Sequence, residues 1–75
     1  MSAGQWTELL ANKLGTAPPS EEEQTKLLEL ASTAAHASER TAAPISCWLA
    51  ARAGLEPAEA GRVAKELADE LGARS

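Results

Sequence analysis

Apolar residues recur along this chain at the three- and four-residue spacing of helices, and no segment alternates in the two-residue rhythm of a strand. Trp6, Leu9, Leu10 and Leu14 share one helical face, which predicts a first helix over residues 5–14. Gly15 follows, where a left-handed cap would sit, and Pro18-Pro19 forbid continuation. Ser20 followed by Glu21-Glu22-Glu23 predicts a capping box between Ser20 and Glu23. This second helix, residues 20–40, buries an arc of Leu27, Leu28, Leu30, Ala31, Ala34 and Ala35.

Pro44 suits the first turn of a third helix over residues 44–53, where its missing N–H costs nothing. Ile45, Cys47, Trp48, Leu49 and the alanines make that helix apolar nearly all round, a pattern expected of a helix surrounded by protein. Gly54 ends it. Pro57 opens a fourth helix, residues 57–71, with an inward stripe of Ala60, Val63, Ala64, Leu67 and Leu71. Arg62 with Glu66, and Lys65 with Asp69, are spaced as exposed ion pairs. Gly72 is expected to stop the helix and residues 73–75 to fray. The expected fold is therefore an all-α, compact four-helix domain over residues 1–75, with short connectors and an irregular, orthogonal arrangement. The third helix lies at its centre. Helices so unequal in length argue against a regular up-down bundle.

Composition adds a warning about stability. The chain has 75 residues, two Trp, and no Phe or Tyr. Alanine, which buries little area, supplies much of its apolar content. Domains near this size bury only about 60% of the surface of the unfolded chain. Association with a second copy, or with another protein, would offset the deficit. Trp6 and Trp48 both fall on apolar stripes and are expected in the core, with Trp48 largely buried.

Candidate chemistry is sparse. One Cys and one His cannot form an ordinary zinc site, and there is no glycine-rich phosphate loop following a strand. Capping and the helix dipole account for all three glutamates at positions 21–23, so no metal site is expected there. Cys47 between apolar neighbours is expected to be an inert thiol rather than a nucleophile activated by His36. The net charge is −4 and the basic residues are scattered, with no clustered positive patch for a nucleic-acid backbone, so no nucleic-acid partner is expected. No apolar run approaches the ~20 residues that span a bilayer. The first residues lack the basic and apolar regions of a signal peptide, so a cytoplasmic setting is expected. The chain is expected to be neither an enzyme nor a cofactor carrier.

His36, Glu39 and Arg40 stand apart. His36 and Arg40 fall opposite the apolar arc of the second helix. They are either a solvated face, with a cation near a helix C-terminus, or a recognition face beside the turn before Pro44.

The segment containing His36, Glu39, Arg40, Ala42, Ala43, Pro44, Ile45 and Ser46, followed by Trp48-Leu49, resembles a small bacterial domain of unknown function. That family occurs free-standing and fused to molybdenum cofactor guanylyltransferase. Its pattern is alanine-histidine, two variable positions, glutamate-arginine, one variable position, then alanine-alanine-proline, an aliphatic residue and a hydroxyl residue. The tryptophan-bearing first helix fits the family as well, whereas the fourth matches in character only. The resemblance implies an accessory, non-catalytic interaction domain associated with molybdopterin guanine dinucleotide synthesis, with the guanylyltransferase as a possible protein partner. Two alternatives remain open: a helical domain gripping a small anion with His36 and Arg40, and a structural homodimerisation module.

Overall fold

The structure, a computed structural model, describes residues 1–74. Four helices follow one another: α1 (Ala3–Leu14), α2 (Glu21–Ala37), α3 (Ala42–Arg52) and α4 (Pro57–Arg74). No strand occurs among the described residues.

Local chemistry explains most boundaries. α1 begins two residues earlier than its apolar pattern suggests because Ser2 caps it. The Gln5 N–H donates to Ser2 Oγ (3.1 Å) and the Ser2 N–H donates to Gln5 Oε1 (2.9 Å). Ser20 and Glu23 close the same box on α2, at 3.1 and 2.8 Å. α1 and α3 end alike. Gly15 and Gly54 adopt φ of 75° and 76°, the left-handed conformation that costs glycine nothing. Each helix is closed by a pair of backbone bonds: Thr16 N–H to Ala11 O with Gly15 N–H to Asn12 O, and Leu55 N–H to Ala50 O with Gly54 N–H to Ala51 O.

α2 stops at Ala37 rather than near Arg40. Ser38 leaves helical geometry (φ −131°, ψ −101°), and the chain turns tightly with the Ala42 N–H bonded to Glu39 O and the Ala43 N–H to Arg40 O. α3 therefore starts at Ala42, with Pro44 still inside its first turn, where the proline removes no needed donor. α4 passes through Gly72 and reaches Arg74. Glycine permits a left-handed stop but does not impose one, and inside a helix it costs only about 1 kcal/mol relative to alanine. Ser75, the last residue expected to fray, lies outside the described residues.

The core differs from expectation. α2, not α3, is the central helix, and both α3 and α4 pack on it. Leu30 of α2 is 2% exposed and is the one large side chain buried among the described residues, joined by Ala11 and Ala60. α3 buries no residue fully. Its half-buried residues are Ala42, Ala43, Ser46, Cys47 and Ala50. At ~100° per residue these form one face, and Ile45, Trp48 and Leu49 lie on the opposite side. Trp48 is accordingly 57% exposed, a correction to its expected burial. An all-round apolar helix can pack by either side, and α3 packs by its small residues.

α4 repeats the choice. Pro57, Ala60, Gly61, Ala64 and Ala68 are half-buried or buried, while Val63, Leu67 and Leu71 remain exposed. The expected inward stripe is thus split between a small-residue packing face and a larger exposed flank. α1 is the least closely packed helix: none of its Cα atoms lies within 8 Å of one in another helix, Ala11 is its one buried residue, and Trp6, Leu9, Leu10 and Leu14 are all exposed. The domain measures 43 × 25 × 18 Å as a result.

Candidate functional site

The residues singled out by sequence cluster around the corner between α2 and α3. His36 occupies the last turn of α2 and is exposed. Its Nδ1 lies 2.7 Å from the Ser32 carbonyl oxygen, which can only accept, so Nδ1 carries the proton and donates. The same nitrogen is 3.2 Å from Ser32 Oγ. That geometry commits Nδ1 to the helix and leaves Nε2 as the ring nitrogen not engaged by it. Glu39 accepts a bond from the Thr41 hydroxyl (3.1 Å), which stiffens the turn. The Arg40 side chain is exposed and, among the described residues, makes no hydrogen bond or ion pair. It does not turn back onto the carbonyls of α2.

Beyond this corner α3 presents Ile45, Trp48, Leu49 and Arg52 along its outer side. The Arg52 guanidinium sits 4.9 Å from the Trp48 ring centroid, a cation–π contact that steadies an indole otherwise standing in water. Sequence reasoning missed this surface because it assigned Trp48 to the interior. The signal that could have revealed it is the grouping of Ala42, Ala43, Ser46, Cys47 and Ala50 on one side of α3.

Cys47 is half-buried on the inner side of α3, and burial pushes its thiol pKa up. A raised pKa is the opposite of what a nucleophilic thiolate needs.

A groove of about 450 Å³ between α2 and α4 is lined by Lys26, Glu29, Thr33, Gly61, Arg62 and Lys65. Its charges largely satisfy one another. Lys26 pairs with Glu29 at 3.5 Å, and Arg62 bridges Glu59 (2.6 Å) and Glu66 (2.7 Å). The bond from Arg62, together with its charge, lowers the Glu59 pKa below the ordinary carboxylate value. The expected pair between Lys65 and Asp69 does not form among the described residues. Lys65 instead lines an adjoining groove with Ser32, Thr33 and His36. Arg40 does not line that groove.

Among the described residues, no three His, Cys, Asp or Glu side chains are grouped so as to hold a metal ion. No described helix is long and apolar enough to cross a membrane. The combination of a helical scaffold packed through small residues and large apolar side chains facing outward defines a small all-α domain whose most developed feature is exposed surface. The chain belongs to the family described as Domain of unknown function (DUF6457), which it matches over residues 1–75. No curated protein and no solved structure matches it.

Proposed function

We propose that this domain is a non-catalytic accessory module that docks on a protein partner through the outer face of α3. We further propose molybdenum cofactor guanylyltransferase as that partner, which places the domain in molybdopterin guanine dinucleotide synthesis. The observation that carries the docking surface is the exposure of Trp48 beside Ile45 and Leu49, on a helix that packs inward by alanines. Tryptophan and arginine dominate the energetics of protein interfaces, and the Arg52 stack holds the indole in place before any partner arrives. His36, Glu39 and Arg40 border this helix in sequence and supply a polar rim of mixed charge, with Arg40 uncommitted. The choice of partner is supported by the resemblance of the segment from His36 to Ser46 to domains fused to that enzyme.

The test is a binding titration of the purified domain against the guanylyltransferase from the same organism. Trp48→Ala should weaken binding by about 30-fold or more, the equivalent of a hot spot of roughly 2 kcal/mol. The double variant His36→Ala, Arg40→Ala should keep its circular dichroism spectrum and lose affinity. Absence of binding by the wild-type domain at micromolar concentration would refute the partner. Unchanged binding by Trp48→Ala would refute the surface.

A further inference from the structure

We infer that α1 is an exchanged arm, whose apolar face seats on the Val63–Leu67–Leu71 flank of α4 in a second copy of this chain. The first argument is area. The chain exposes 5913 Å², whereas a folded monomer of 7.8 kDa is expected to expose about 4,400 Å². The excess is roughly 1,500 Å² per chain, or about 3,000 Å² for a pair, which falls in the range of obligate homodimers.

The second argument is shape. Trp6, Leu10 and Leu14 follow one another at four-residue intervals, and so do Val63, Leu67 and Leu71. All six are exposed. Ridges with this spacing interdigitate when two helices cross at about −50°. The arm and its seat lie on the same chain, so a two-fold axis lets each copy cover the other and closes the assembly at two.

The third argument concerns why the arm does not serve its own body. Pro18 and Pro19 fix φ at consecutive positions of the connector, and no Cα atom of α1 comes within 8 Å of one in α2, α3 or α4, so its large side chains Trp6, Leu9, Leu10 and Leu14 stay exposed although Ala11 is buried. A short, stiff hinge of this kind favours exchange over folding back. Charge agrees. Residues 1–20 hold one Glu and one Lys, so the whole side-chain net charge of −4 resides in residues 21–75. Two bodies pressed together would repel, whereas a neutral arm on a body adds no like-charge cost. This inference uses a different surface from the guanylyltransferase contact, so either can fail without the other.

Sedimentation equilibrium of the full chain should give twice the 7.8 kDa monomer mass. Leu10→Lys on the arm, or Leu67→Lys on the seat, should each weaken the dimer by more than about tenfold. An equimolar mixture of the two variants should recover a dimer, because the intact arm of the Leu67→Lys chain meets the intact seat of the Leu10→Lys chain. If either variant is unfolded alone, recovery of its helical circular dichroism on mixing is the equivalent readout. A monomeric wild-type chain, a dimer indifferent to both substitutions, or a failure to recover on mixing would each overturn the exchange.

Discussion

Replacing Leu30 and replacing Trp48 should have opposite consequences to those that residue size suggests. Leu30 is 2% exposed and sits on the helix against which both α3 and α4 pack. Truncating a leucine so enclosed costs about 2–5 kcal/mol, through lost transfer energy and the cavity left behind. Alanine is the best helix former, so none of that loss comes from the backbone of α2. A chain of 75 residues is expected to have only about 4–11 kcal/mol of total stability. At about 4–8 °C per kcal/mol for a domain of this size, Leu30→Ala should lower Tm by roughly 8–40 °C. Trp48 is 57% exposed, and its defined contact is the Arg52 stack, worth about 0.5–1 kcal/mol at such a site. The better helix propensity of alanine recovers part of it, so Trp48→Ala should move Tm by less than about 5 °C. Thermal melts of the two variants followed by far-ultraviolet circular dichroism decide the matter. If Trp48→Ala destabilises the isolated chain as much as Leu30→Ala does, the indole belongs to the core and the outward face of α3 is wrong.

Ser20→Ala removes the oxygen that accepts from the Glu23 N–H, and should cost about 1 kcal/mol, with faster amide exchange confined to the first turn of α2. Glu59, held below the ordinary carboxylate pKa by Arg62, contributes stability that is present above its unfolded value of about 4.3 and is lost as pH falls through its lower folded value. A carboxyl titration followed by NMR should show the Glu59 pKa rising in Arg62→Ala. An unchanged midpoint would mean that the two side chains do not meet in solution.

The packing of this domain has a consequence for how such small chains remain folded. Alanine, serine and glycine let helices approach closely, but each buried alanine removes little apolar area from water. A body built this way spends its larger side chains outside, and the exposed Ile45, Trp48, Leu49, Val63 and Leu67 are the result. Stability then depends on what covers them.

The number of helices, their order and most of their ends follow from the sequence, because those features are settled by neighbours a few residues apart. The Ser20–Glu23 box, the left-handed glycines 15 and 54 and the prolines 44 and 57 each act within one helical turn. The Ser2–Gln5 box is equally local, although the apolar pattern of α1 begins only at Trp6. The end of α2 was harder to place. Nothing at Ser38 forbids a helix, and the break there is made by the turn that feeds α3. At the candidate site, the polarity and exposure of His36 and Arg40 could be read from their helical phase, but the bond from His36 to Ser32 and the groove it shares with Lys65 could not. Tertiary structure alone decided which helix is central and which side of α3 and α4 faces inward. Periodicity marks a face as apolar without saying whether small or large side chains will meet a neighbour. That choice depends on how closely α2 can be approached, and here the small side chains of α3 are the half-buried ones while Trp48 is left in solvent.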